Sequence, residues 1–407
     1  MSKKRVPIWL GLILAAVGLL LAFVVGVNAY MRLTAVPLHP DPQEAPVASH
    51  WTPPKNWTAA ADQARDIARN DLSEQNLAGL SIAVGAGGEV VWAEGFGWAD
   101  LENKVQVAPS TRFRIGTASK VLTSAAVGLL LESNRLNLDD EIQTAVPEFP
   151  KKDWPVTLRQ VMGHVAGIRN DGGDEGPLLS ARCERPAHAL RAFADRPLLF
   201  EPGTEYRFSS YGWIVVSAAV EAAAGEPFLA VMRQRIFEPL GLRHTNADSS
   251  TDPAPNRATP YFPRFAADPR YGLHLMRPLD YSCYAGASVF VSTPSDLVRF
   301  GLAITRGTLL QPATVQVLQT SQRLTSGEET GYGLGWDLGM VTVAGKETRS
   351  VGHDGTLLGG PVSSLMTFPE HGIVVAVTSN ISYADTPAVA LGIARAFAGR
   401  GRRPEPR

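Results

Sequence analysis

Phe113-Arg114-Ile115-Gly116-Thr117-Ala118-Ser119-Lys120 is the stretch around which the chain can be read. A hydroxyl and a lysine lie three residues apart, just before an apolar run that continues through Leu131. On a helix, positions i and i+3 share a face. Thr117 and the Lys120 amine are therefore expected to point into one space, at a helix start whose amides and dipole favour negative charge. That arrangement suits a hydroxyl nucleophile activated by a buried, partly deprotonated lysine. Threonine stands where such motifs normally carry serine. A plainer reading stays open beside it: Thr117 caps the helix and nothing more.

Outward from this motif the pattern alternates between strand and helix. Trp57 to about Asn76 suits an amphipathic helix. Leu80-Ser81-Ile82-Ala83-Val84 reads as a strand, Gly85-Ala86-Gly87-Gly88 as a hairpin turn and Glu89 to Gly97 as the return strand. Residues from about 140 to 300 read as mixed and mostly helical, with helices expected at Trp213–Ala223, Phe228–Phe237 and Pro294–Thr305. Strand character returns at Leu334–Val343, Val362–Thr367 and Ile373–Thr378, and Pro387–Ala398 reads as a closing helix. The order predicts an α+β fold, an α/β sandwich. Its antiparallel sheet is built from both chain ends and flanked by helices, with a mostly helical subdomain inserted over about 120–300.

The first 30 residues are a membrane anchor or signal segment. Ile8 to Val27 carries no charge, and about 20 apolar residues suffice to cross a bilayer. Lys3, Lys4 and Arg5 precede it, which orients the rest of the chain outward. The run is long for a cleaved signal peptide, although Val27-Asn28-Ala29 resembles a cleavage site. Single-pass anchoring is preferred, secretion after cleavage is the alternative, and both export the domain to a periplasm or cell exterior. Residues 31–56, rich in proline, read as a stiff linker; 57–398 form the main domain, and 399–407 a disordered tail. A net charge of −1 gives no reason to expect nucleic acid. Cys183 and Cys283 are compatible with one disulfide in an exported protein or with two buried thiols. No histidine or cysteine spacing suggests a metal.

Several ordered motifs carry a resemblance: Gly95-Phe96-Gly97-Trp98-Ala99-Asp100, Phe113-Arg114-Ile115-Gly116, Val146-Pro147-Glu148-Phe149-Pro150, Pro202-Gly203-Thr204, Tyr332-Gly333-Leu334-Gly335-Trp336 and His353-Asp354-Gly355. From about Leu77 to Asn380 the chain resembles the serine beta-lactamase-like family of class C beta-lactamases, D-alanyl-D-alanine carboxypeptidases and related esterases. It looks most like the subgroup that includes a mitochondrial beta-lactamase-like protein. The resemblance implies an acyl-enzyme hydrolase acting on small-molecule or peptide amides and esters, beta-lactams included, with no cofactor. It implies three elements round one cleft: SxxK at Thr117 and Lys120, YxN at Phe208-Ser209-Ser210, and HxG at His353-Asp354-Gly355 on an edge strand. Thr117 and Lys120 are then the catalytic pair, with Ser210, His353 and Gly355 contacting substrate. Backbone amides of the nucleophile and the edge strand are implied as the oxyanion hole.

Two elements depart from the pattern. The threonine methyl restricts χ1 and crowds the approach to a carbonyl. Phe208 has no phenol, and a positioned acid–base group contributes typically ~10²–10⁴-fold. Turnover is therefore expected to be slow, with Lys120 the sole base if burial keeps it neutral. Tyr206 is about 6–7 Å along a strand from Phe208, too far to substitute. His164 reads as architectural, and Tyr332 and Trp336 as packing. A catalytically silent family member that binds cell-wall peptide or a partner protein is the alternative function.

Overall fold

Ile373-Val374-Val375-Ala376-Val377 forms a strand buried on both faces, as a continuous apolar run requires. Successive side chains enter different cores. Ile373, Val375 and Val377 join Leu80, Ile82 and Val84, whereas Val374 and Ala376 join Ala83 on the opposite face. The register follows, with Val375 opposite Val84 and Val377 opposite Ile82.

The computed structural model describes residues 8–49, 52–170, 176–249 and 256–398, so the basic residues before Ile8 and the tail from Gly399 lie outside the described residues. The chain opens with α1 (Ile8–Leu33), β1 (Val47–Ser49), α2 (Thr58–Glu74), β2 (Gly79–Ala86), β3 (Glu89–Asp100), β4 (Val105–Gln106) and β5 (Phe113–Arg114). The helix expected after Thr117 is α3 (Ser119–Glu132). It is followed by α4 (Ile142–Ala145), α5 (Leu158–Met162), α6 (Pro186–Leu190), α7 (Ser210–Ala224) and α8 (Phe228–Met232), which runs into a π-helical turn at Arg233–Phe237. Next are β6 (Asn246–Ala247), β7 (Tyr261–Phe265), β8 (Asp268–Leu275), β9 (Phe290–Ser292), α9 (Pro294–Thr305) and α10 (Pro312–Leu318). The chain closes with β10 (Asp337–Val343), β11 (Lys346–Leu357), β12 (Gly360–Phe368), β13 (Ile373–Ser379) and α11 (Thr386–Ala398).

The main sheet is antiparallel in the order β1-β3-β2-β13-β12-β11-β10, with β4 paired to β3. Strands from the two chain ends meet where β2 pairs with β13, as the sequence order predicts. One face is covered by α2 and α11, the other by α9 and α3. On α2, Ala60, Ala61, Ala64, Ala68 and Leu72 are buried, the stripe of an amphipathic helix. Helix α3 is apolar almost all round and is buried from Ser119 to Gly128, with only its last turn partly exposed.

One expectation holds and one needs correction. The region from 140 to 300 is mixed and mostly helical, as expected; its strands are β6 and β9, which join β5 in a small sheet, and the hairpin β7–β8. The proline-rich segment before α2 is not a free spacer. Asn76 accepts from the Leu38 amide and donates to the Val36 carbonyl, His39 is buried beside the Ala78 carbonyl, and β1 pairs with β3. Prolines stiffen this stretch, but free backbone groups on the sheet edge capture it.

Cys183 and Cys283 are joined in a disulfide across 100 residues, which decides between the two cysteine readings. Cross-linking a loop of this length restricts the unfolded chain strongly. Replacing both cysteines by serine is expected to lower unfolding free energy by about 2–5 kcal/mol. Denaturant titration of wild type and variant checks it, and a change under ~1 kcal/mol would contradict it.

Candidate active site

Gly116 places the turn that carries Thr117. Its φ of +54° is left-handed, and a side chain there would sit 2.3 Å from the Thr356 carbonyl oxygen. The chain then makes a 3₁₀ turn, Gly116–Ala118, before α3 begins at Ser119. Thr117 is thus on the tighter turn, where i and i+3 eclipse. The cap position of α3 is Ala118, with no side-chain cap bond, so the capping role considered for Thr117 is not the one it has.

The Thr117 hydroxyl faces strand β11. It donates to the Asp354 carbonyl at 3.1 Å and accepts from the Thr356 amide at 2.9 Å, with the Thr356 hydroxyl 3.2 Å away. β11 approaches this closely because of Gly355, where an added Cβ would lie 1.9 Å from the Ile115 carbonyl oxygen and 2.1 Å from Ser363 Oγ. The Ser363 hydroxyl donates to the same Ile115 carbonyl at 2.8 Å. β11 is not the edge of the sheet, since β10 lies outside it, but the pairing ends at Gly352 opposite Asp337. From His353 onward its outer side is free of β10 and turned to Thr117. The edge-strand expectation therefore holds only for the half of β11 that reaches the site.

Lys120 is wholly buried, and its Nζ sits 4.2 Å from the centroid of the Phe208 ring. The ring occupies the position read as lacking a phenol and offers only a π face. Ser210, also buried, opens α7, which packs on α3; the preceding Ser209 caps that helix by accepting from the Gly212 amide. His353 is 4% exposed. Its Nδ1 faces the Asp354 carbonyl at 2.6 Å, so this nitrogen carries the proton. Nε2 then accepts from the Tyr332 hydroxyl at 2.9 Å. Burial lowers the His353 pKa; Asp337 opposes that shift and Lys120 adds to it. Burial also holds the Tyr332 phenol well above its usual range, so it remains a donor.

His164 completes the enclosure. It lies 4.6 Å from Phe208 and 4.8 Å from Tyr332, ring to ring, and accepts at Nδ1 from the Ser209 amide at 3.0 Å. Its left-handed φ of +61° is unusual for histidine. Burial first, then the Lys120 and His353 charges, drive its pKa well below the ordinary value and keep it neutral. Trp336 packs as expected, stacked on Phe300 and donating to Ser124 Oγ.

These elements match a family pattern. Residues 36–400 match the model of the family described as Beta-lactamase. The chain belongs to the beta-lactamase family. It is 26% identical to the serine beta-lactamase-like protein LACTB, mitochondrial, of Bos taurus, over 84% of this chain and 80% of that one. Among solved structures it resembles the D-amino acid amidase from Ochrobactrum anthropi SV3, with TM-score 0.68, 22% identity and coverage of 84% of this chain and 98% of that one. It also resembles EstCE1, a hydrolase with promiscuous acyltransferase activity, with TM-score 0.67, 24% identity and coverage of 84% and 99%. At these identities the two structures show the fold alone.

Within this beta-lactamase family chain, Tyr332 packs as sequence reasoning expected, but its phenol is also tied to His353 in the same enclosure as Lys120 and Phe208. The signal was there in Tyr332-Gly333-Leu334-Gly335-Trp336, yet nothing in its spacing pointed to His353.

Two outcomes follow from this geometry. Gly355→Ala forces β11 away from Ile115 and is expected to cost about 1–3 kcal/mol, measured by denaturant unfolding; an unchanged stability would contradict the close approach. Asp354, whose carbonyl accepts from Thr117, has its carboxyl pushed up to about 6, chiefly by desolvation, while the Ser364 hydroxyl bond opposes the shift. A raised carboxyl pKa contributes stability that is complete below the unfolded value and lost as pH rises through about 6. Asp354→Asn stays neutral and is expected to exceed wild type by about 1–2 kcal/mol at pH 8, the value discounted for partial exposure. The gap should shrink at pH 5, and a gap independent of pH would refute the assignment.

Proposed function

We propose that the chain is an exported, membrane-anchored hydrolase that opens amide or ester carbonyls, of peptide, beta-lactam or ester, through an acyl-enzyme on Thr117. The observation that supports this most directly is the Thr117 hydroxyl against the Thr356 amide, one turn from wholly buried Lys120. In the proposed reaction Thr117 Oγ1 turns from β11 to the carbonyl carbon and forms the C–O bond, while Lys120 takes the hydroxyl proton. The substrate oxygen takes over the Thr356 amide that the hydroxyl held, which places a backbone donor where negative charge develops. The leaving group departs with a proton, and water cleaves the acyl-threonine to release the acid and restore the hydroxyl. Ser210, His353 and Gly355 form the wall against which substrate lies. The disulfide and the apolar helix Trp9–Leu33, almost wholly exposed, support export and anchoring. The relatives' names support the reaction class.

A second reading is favoured by the same bonds: the hydroxyl is already engaged by β11, and Phe208 offers no phenol. On that reading the cleft binds peptide without turning it over. A soluble form beginning at Ala35, which retains the docked segment before α2, separates the two. Assayed with p-nitrophenyl esters and a chromogenic cephalosporin, it is expected to turn over slowly. Thr117→Ser should raise turnover by roughly tenfold, equal to about 1.4 kcal/mol of barrier. Thr117→Ala and Lys120→Met should abolish it. Equal rates in wild type and Thr117→Ala would leave only the binding reading.

A further inference from the structure

The hairpin β7–β8 meets the end of α1. Phe265 lies edge-on to Tyr30 with ring centroids 6.1 Å apart, and Arg264 Nη1 donates to the Thr34 carbonyl at 3.2 Å. Trp9 and Tyr30 are both exposed and 21 residues apart on α1, about 32 Å along a helix. The hydrocarbon core of a bilayer is about 30 Å thick, and tryptophan and tyrosine concentrate at its two interfaces. Tyr30 therefore marks the outer interface, with Arg32 just beyond it in the last turn.

The turn itself is unusual. Ala266 and Ala267 occupy left-handed backbone, with φ of +54° and +53°, at the tip of a two-residue hairpin. Asparagine and glycine normally fill such turns because they tolerate positive φ. Both alanines are exposed, so packing within the domain does not explain the strained pair. The tip of two methyl groups is flanked by Phe265 on one strand and by Asp268, paired with Arg270, on the other, with Arg264 one residue before Phe265; it offers small apolar and aromatic surface with cations nearby, as an interfacial site favours.

We infer that the β7–β8 tip docks into the outer headgroup region of the bilayer, so that the domain is held against the membrane at a fixed tilt rather than swinging on its anchor. The inference rests on α1 being a retained span, as proposed above. Phe265 and the two alanines enter the interface beside Tyr30, and Arg264 faces anionic headgroups.

The cysteines are paired, so one added cysteine gives a single labelling site in the full chain. Ala267→Cys, with Ala266→Cys as a second position, carries an environment-sensitive fluorophore in nanodiscs of phosphatidylcholine and phosphatidylglycerol with nitroxide-bearing lipids. Met340→Cys, exposed on β10 at the opposite edge of the sheet from β1, is the reference. Quenching several-fold stronger at the tip than at position 340, and reduced by Phe265→Asp, is expected. Equal quenching at tip and reference in chains that still float with lipid overturns the docking and leaves the anchor intact. Failure of the full chain to float with lipid overturns both.

Discussion

The seam between the Ile115–Thr117 turn and strand β11 is the constraint on which the site depends. Two glycines make it possible from opposite sides: Gly116 by its left-handed backbone, Gly355 by leaving no Cβ between β11 and Ile115. The Ser363 hydroxyl then ties the Ile115 carbonyl to β12, and the Thr117 hydroxyl ties the turn to Asp354 and Thr356. α3 carries Lys120 inward from this turn, and β11 carries His353 to the far side. The sheet thus acts as a rigid support, and the site is made where its free half-edge meets a buried helix start.

Chemistry at this seam is altered in a specific way. A threonine hydroxyl keeps the nucleophilic atom but has fewer rotamers, and the one it adopts faces the strand amide. At the neighbouring position a phenyl ring underlies Lys120. The phenol of the enclosure is Tyr332, bonded to His353 on the β11 side. Three aromatic groups, His164, Phe208 and Tyr332, therefore line the amine side of the site.

Much of this was legible from residues alone. Continuous apolar runs announced β2 and β13, buried on both faces, and α9 has the expected bounds because Thr293 accepts from the Asp296 amide while Pro294 fills the first turn. The first half of β11 was not read as a strand because Lys346 to Ser350 is polar, and only the resemblance implied a strand at His353–Gly355; β11 is held by neighbours on both sides, not by its own apolar content. The small sheet β5-β9-β6 went unread because two-residue strands carry no periodicity. At the site, Thr117 and Lys120 were found by local spacing, and Phe208 through the family resemblance. The Tyr332–His353 bond was not, since it joins residues 21 apart from different elements, and only the fold brings them together.

The sheet order also sets the site's distance from β1. β11 is five inter-strand steps from β1, about 24 Å, which separates the seam from the sheet edge that follows α1 in the chain. The central claim is that Thr117 is a competent nucleophile despite its methyl group and its bond to β11. Intact-mass and peptide mapping of the chain after treatment with a fluorophosphonate probe tests it most directly. A single phosphonyl adduct on the peptide containing Thr117, absent from Lys120→Met, is the result predicted; an unmodified chain, or an adduct on another hydroxyl, would contradict it.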